Sequence, residues 1–288
     1  MKKIGWLFFF SYCAVSCQDF GKLELLCDLP ATLNEVSGIE RIGDQEVLWA
    51  INDSRNPPEI YAIDPSTGKI QQTIRLKNGT NVDWEDLATH PDGTLYVGDF
   101  GNNGNSRKDL KIYHVSTPEK LEKRRHEALI TTFAYEDQEA FPPKKKKDKT
   151  YDVEAFFYMD DYFYLFTRNR KRKFDGKVRV YKVPAIPGHH TAMKIGSFES
   201  CGDSKDCQIT SAAIHHETGK IALLSYNKVW IITDYTDDDF ASGTFDKIKL
   251  DHSSQKESVC FKSENELYIA DEKTHGGRNL YLLKLGQD

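Results

Sequence analysis

Five short segments of this chain open on a residue able to offer oxygen to a ligand: Ser37-Gly38-Ile39, Glu85-Asp86-Leu87, Glu154-Ala155-Phe156, Ser211-Ala212-Ala213 and Glu257-Ser258-Val259. If the fold brings these positions to one axis, Glu85, Glu154 and Glu257 repel one another. They must then protonate, splay apart or hold a cation. A hard cation with oxygen ligands, calcium (Ca2+) above all, resolves the conflict without large pKa shifts. Ser37 and Ser211 would complete its shell through hydroxyl or carbonyl oxygens. The alternative is that the glutamates line a wet channel and bond to backbone amides.

A second apolar run follows each segment, and the loops after these runs are basic for an acidic chain. Arg55 lies in the first, Arg107 and Lys108 in the second, Arg168, Arg170, Lys171 and Arg172 in the third, and Lys273, His275 and Arg278 in the fifth. Grouped around a divalent cation, the guanidinium groups of Arg55, Arg107, Arg168, Arg170 and Arg278 match phosphate or carboxylate oxygens bidentately. Taken singly, such arginines are solvated loop charge. Asp99, just before Phe100-Gly101-Asn102-Asn103, and Asp86 are the candidate bases for activating a water. Asp86 should point to the opposite side of its strand from Glu85, away from the ring's metal. Asn52, Asp53, Asp83, Asn102, Asn103 and Asp271 are further polar points on the same face. Lys144 to Lys147, flanked by prolines, reads as an exposed loop. The chain contains no P-loop, dinucleotide fingerprint or His-Glu-x-x-His motif, and no Ser-His-Asp arrangement is readable from linear order.

The elements that must position these residues repeat at roughly fifty-residue spacing. Each segment opens a first strand. The second apolar runs are Leu48 to Asp53, Leu95 to Asp99, Phe163 to Arg168, Ile221 to Ser225 and Leu267 to Glu272. Third strands run over Glu59 to Ile63, Leu110 to Val115, Val178 to Val183, Val229 to Thr233 and Asn279 to Leu285. Fourth strands run over Ile70 to Leu76, Leu129 to Tyr135, Ala192 to Phe198 and Phe245 to Leu250. Asp92-Gly93 and Thr218-Gly219 supply tight turns, and His189-His190 and His215-His216 fall at a linker and a turn. Four short strands per unit predict an all-β fold, a five-bladed β-propeller. The last unit lacks its fourth strand, and Lys22 to Leu29 supplies a spare one. Pairing the two closes the ring and removes two exposed edges.

The N-terminus carries Lys2 and Lys3, an apolar stretch through Phe10 and the ending Ala14-Val15-Ser16-Cys17. This is an export signal, and its ending resembles a loose lipobox with cleavage before an acylated Cys17. A plain secretory signal cut near Ser16 is the alternative. The domain reading is a lipoprotein signal peptide over 1–16, an acylated anchor and short tether over 17–21, and the propeller over 22–288. The implied location is the bacterial cell envelope, as an outer-membrane lipoprotein on its periplasmic or surface face. With a formal charge of −5 the chain is a poor binder of nucleic-acid polymers; the membrane is met through the lipid alone. Cys201 and Cys207 flank a turn-rich loop that a short disulfide could close. Cys27 and Cys260 fall in the outermost and innermost strands of the closing blade, with two strands between them, and are too distant to pair.

The order Ser37, Glu85, Glu154, Ser211, Glu257 around five blades resembles the calcium-activated nucleotidase, or apyrase, family. Asp83-Trp84-Glu85-Asp86-Leu87-Ala88 followed by Leu95-Tyr96-Val97-Gly98 looks like that family's second blade. Val153-Glu154-Ala155 leading to Phe166-Thr167-Arg168-Asn169-Arg170 looks like a weakened third, where the family carries Pro-Arg-Arg. The resemblance implies a central calcium and hydrolysis of nucleotides. Asn52-Asp53-Ser54 and Gly98 to Asn103 also resemble uncharacterised exported bacterial propellers, including the SdiA-regulated type. Two functions follow as expectations: a calcium-dependent phosphohydrolase acting on nucleotides or other phosphate esters, and a non-enzymatic propeller with structural calcium and a small anionic ligand. A lactonase ranks third, because the calcium propellers of that type have six blades and different ligands.

Overall fold

The computed structural model describes residues 19–116, 118–120, 125–169, 173–273 and 277–286. Their regular secondary structure is almost wholly β-strand, with a few short 3-10 turns. The closing strand β1 is Glu24–Asp28. The first unit is β2 (Val36–Arg41), β3 (Leu48–Asn52), β4 (Glu59–Ile63) and β5 (Ile70–Leu76); the second has β6 (Trp84–Thr89), β7 (Leu95–Asp99) and β8 (Lys111–Val115). A short β9 (Arg125–His126) precedes β10 (Leu129–Tyr135), which completes the second unit. The third is β11 (Val153–Met159), β12 (Tyr162–Thr167), β13 (Lys177–Pro184) and β14 (Gly188–Glu199). The fourth is β15 (Ser211–His215), β16 (Lys220–Ser225), β17 (Lys228–Thr233) and β18 (Thr244–Lys249). β19 (Lys256–Ser263), β20 (Glu266–Asp271) and β21 (Asn279–Lys284) end the chain.

Each unit is an antiparallel meander, and β1 pairs with β21, so both ends of the described chain meet in one sheet. The first strands are neighbours in a closed circuit: β2 packs on β6, β6 on β11, β11 on β15, β15 on β19 and β19 on β2. This circuit is the propeller-type arrangement expected from the repeat. It explains why inner strands such as Leu-Trp-Ala-Ile-Asn of β3 are buried throughout, whereas the outermost, such as β10, alternate between exposed and buried. Apolar side chains collect between successive sheets rather than in one centre. Trp49, Ile51, Trp84 and Val97 fill one wedge, and Phe157, Phe166, Leu223 and Trp230 another.

Two details depart from the expectation. β14 starts at Gly188, so His189 and His190 lie in a strand and not in a linker. Its first residues run parallel to β10 and join two units at their outer edges. β9 pairs in the same parallel way with β5. Cys201 and Cys207 form a disulfide, while Cys27 and Cys260 are free. Among the described residues no helix is long and apolar enough to cross a membrane.

Near the start of β2, β6, β11 and β19 the ladder slips by one residue. Ser37, Glu85, Glu154 and Glu257 are the extra residues, lying between Val36 and Gly38, Trp84 and Asp86, Val153 and Ala155, and Lys256 and Ser258. A bulge re-aims the side chain it carries. One step further along β6, Asp86 is fully buried. Its carboxylate accepts hydrogen bonds from the amides of Leu87 (3.0 Å), Phe156 (3.2 Å) and Ala212 (3.1 Å), and from the Ser211 hydroxyl (3.1 Å). Ser211 Oγ accepts in turn from the Val259 amide at 3.0 Å. The network thus links β6, β11, β15 and β19. β2 approaches β6 at Gly38, where a Cβ would lie 2.9 Å from the Leu87 nitrogen.

Asp86→Ala strands two cross-strand amides and a hydroxyl in a dry interior. We expect it to cost about 3 kcal/mol or more in urea unfolding, the scale of losing several charge-assisted hydrogen bonds. A loss under about 1 kcal/mol would show that the network does not hold the inner strands together.

Candidate functional site

The bulges and the ends of the second strands enclose a cavity of about 290 Å³. Ser37, Glu85, Glu154, Thr210 and Glu257 come to it from the first strands. Asp53, Arg168, Tyr226 and Glu272 each directly follow a second strand, and Asn103 and Gln255 complete the wall. Four of the five expected ring residues therefore converge. Ser211 does not: in β15 the ladder runs without a slip from the pair Ser211 and Leu224. Thr210 occupies the position that the bulged residues hold elsewhere, its amide bonding the Leu224 carbonyl at 3.0 Å. A one-residue shift in a strand exchanges its two faces, and Ser211 accordingly turns toward Asp86.

The acidic wall falls into two halves with different electrostatics. In one, carboxylate oxygens of Asp53, Asp83 and Glu85 lie within 4.8 Å of one another. Burial, then Asp53 and Asp152, push the Asp83 carboxyl up to about 7. Glu85 is raised well above the ordinary range by burial and by Glu154 and Asp53. Burial also raises Asp53, opposed by the Ser54 amide and by its bond to Asp83. These groups press on Gly101, where any Cβ would collide with both Glu85 and Asp83. A side chain there would have to push both carboxylates aside, although the backbone conformation itself would accept one.

In the other half a guanidinium sits among the glutamates. Arg168 is buried, pairs with Glu154 and lies 3.7 Å from Glu257. It also donates to Gln208 Oε1 (3.1 Å) and to the Tyr226 hydroxyl (2.9 Å), which itself donates to Glu257 Oε1 at 2.9 Å. Burial pushes Glu257 up to about 8 despite Arg168. Burial and the neighbouring Asp53 and Glu35 push Glu272 to about 7.

The remaining expected site residues lie elsewhere. Asp86 is enclosed by its four donors and does not reach the cavity. Asp99 is fully buried, accepting from the Asp83 amide (3.1 Å) and pairing with Arg107 (2.8 Å). It braces the loop on which Asp83 sits, so neither expected base lines the wall. Arg107 is spent on Asp99, on Asp109 (3.1 Å) and on the Gly101 carbonyl (2.9 Å). Arg55 is exposed on its turn, and Arg278 is half-buried beside the closing strand, its carbonyl accepting from Leu29. Arg170 and Cys17 fall outside the described residues. Thr210, Tyr226, Gln255 and Glu272 had not been marked as site residues; the residue immediately after each second strand is the signal that finds Tyr226 and Glu272.

No protein-family model matches the chain, and no curated protein matches it. Among solved structures it is similar to a PQQ-bound aldose sugar dehydrogenase from Streptomyces coelicolor, at 10% identity and a TM-score of 0.48, over 91% of this chain and 98% of that one. A luciferin-regenerating enzyme aligns at 11% identity and a TM-score of 0.48, over 90% and 95% of the two chains. A gluconolactonase from Xanthomonas campestris aligns at 13% and 0.44, over 83% and 68%. Likenesses this distant transfer no activity, and the strand pairing alone carries the architecture.

Raised carboxyls make the cation-free fold hold more protons than the unfolded chain. Their contribution to stability is therefore complete in acid, below the ordinary carboxylate range, and is lost as pH rises through about 7 and about 8. In chelator, the Tm of the wild type should fall more steeply than that of Asp83→Asn as pH rises from the ordinary carboxylate range, about pH 4, to about pH 7. Parallel curves in a thermal scan would mean that Asp83 bears no such strain.

Proposed function

We propose that this chain is an exported five-bladed propeller spanning residues 22–288, tethered by lipid on Cys17 in the bacterial envelope, that binds calcium at one mouth of its channel. Asp53, Asp83 and Glu85 are the ligands, in place of the full ring of Ser37, Glu85, Glu154, Ser211 and Glu257. The observation that carries this reading is the trio itself: three carboxylates within 4.8 Å, all raised by burial, with Asp83 and Glu85 raised further by neighbouring carboxylates, beside a glycine that makes room for them. An all-oxygen, anionic donor set suits a hard cation, and three side chains leave coordination positions open to water or ligand oxygens. The Cys201–Cys207 disulfide fits an oxidising compartment. The closed circuit of first strands supports the blade count.

The ligand that this cation would hold is a small anion, with carboxylate or phosphate oxygens completing its shell. Simple binding is favoured over hydrolysis of a phosphate ester, because Arg168 and Arg107, two of the five arginines expected to meet an anion, are consumed by Glu154 and Asp99. One observation favours a hydrolytic site: Glu272 lines the cavity with a carboxyl pushed to about 7, suited to moving a proton near neutral pH. Phosphate release from nucleotides and simple phosphate esters, in calcium and in chelator, separates the two. Silence across such a panel leaves the binding reading; calcium-dependent release replaces it.

Millimolar calcium should raise the wild-type Tm by several degrees through selective binding to the folded state. Glu85→Gln should lose most of that gain while folding at least as well in chelator. An equal gain in both proteins, followed by scanning calorimetry, would remove Glu85 from the calcium site.

A further inference from the structure

The cavity wall has more anionic groups than one divalent ion can satisfy. Asp53, Glu85, Glu154, Glu257 and Glu272 line it and Asp83 adjoins it; Arg168 is the basic side chain on the wall among the described residues. That arginine is held from every side. Its backbone amide donates to the Asp152 carbonyl at 2.8 Å, its Nε to Gln208 and its Nη2 to Tyr226. Gln208 is itself fixed, its Nε2 donating to the Asn169 carbonyl at 2.9 Å. The guanidinium also lies over the Tyr226 ring, 5.4 Å from its centroid. A loop arginine awaiting an anion would be free to turn outward, whereas this one is locked between two glutamates.

We infer that Arg168 is a built-in cation that fills the Glu154 and Glu257 half of the channel mouth and thereby limits the site to one exogenous divalent ion. The inference rests on the cation-binding reading of Asp53, Asp83 and Glu85, and it assigns the other half a different occupant. A divalent ion entering that half must displace a guanidinium already paired with Glu154 and held by Gln208 and Tyr226, and it would meet the positive charge at short range. With Arg168 removed, Glu154, Glu257 and the Tyr226 hydroxyl would face one another around a vacated space. Oxygen donors in that arrangement form a second hard-cation site. Arg168 thus decides how many ions the mouth takes and on which side the open coordination positions lie.

Calcium titration by isothermal calorimetry, on the chain as it exists and on two variants, tests this. The wild type should bind one ion per chain. Arg168→Met, similar in length but uncharged, should gain one, and Arg168→Lys should keep the wild-type count. No gain in a folded Arg168→Met overturns the inference, whatever the wild type binds. A wild type that binds no calcium while Arg168→Met binds one ion removes the Asp53, Asp83 and Glu85 site and leaves the role of Arg168 standing. If Arg168→Met does not fold, the decisive readout moves to the wild type, where the Arg168 Nε–H resonance, assigned against Arg168→Lys, can be followed by NMR. It should stay slowly exchanging in saturating calcium. Its loss would show that calcium expels the guanidinium, which overturns the inference.

Discussion

Like-charge repulsion in a confined space governs this structure. Closing the circuit of first strands carries the carboxylates of Asp53, Asp83, Glu85, Glu154, Glu257 and Glu272 into or beside a cavity of about 290 Å³. Burial raises Asp83, Glu85, Glu257 and Glu272, and neighbouring carboxylates raise them further. The surrounding features answer that constraint. Arg168 neutralises one side, Tyr226 bonds to Glu257, Gly101 yields space, and the acids left over take up protons or a cation. A propeller brings equivalent positions from every blade to one axis, so a carboxylate repeated in sequence becomes a cluster in space.

The contrast between Glu85 and Asp86 shows how narrowly the backbone assigns these roles. They are consecutive on β6, yet the bulge sends Glu85 to the cavity while Asp86 lies among the backbone amides of the inner strands. Glu85 gains neighbours of its own sign. Asp86 gains four donors, two of them amides from other units, and serves to hold β6 to β11 and β15. A carboxylate therefore lines the cavity at one position and supplies cohesion at the next, and local hydrogen bonding makes the difference.

Much of the fold was legible in the sequence because the repeat is written in apolar strands of even spacing. The ring residues Ser37, Glu85, Glu154 and Glu257 were legible for the same reason. Thr210 was not: alignment by residue type matched Ser211 with Ser37, and the missing register slip in β15 is a backbone property with no side-chain signature. The trio of Asp53, Asp83 and Glu85 joins a second-strand end, a loop and a bulge from two units, which linear order does not bring together. Arg168 was read from its type as an anion clamp, and only its contacts with Glu154, Glu257 and Gln208 show that its charge is already spent. Asp99 was chosen as a base for its place at a strand end, where it proves to be the counter-ion of Arg107.

In the arrangement we propose, the channel mouth holds one calcium ion on its Asp53 side while Arg168 keeps the other. Anomalous diffraction from crystals grown in calcium addresses it most directly. We expect one peak, bonded at about 2.4 Å to oxygens of Asp53, Asp83 and Glu85, with the guanidinium of Arg168 still between Glu154 and Glu257. A peak centred among Glu85, Glu154 and Glu257, with Arg168 turned out of the cavity, would contradict it.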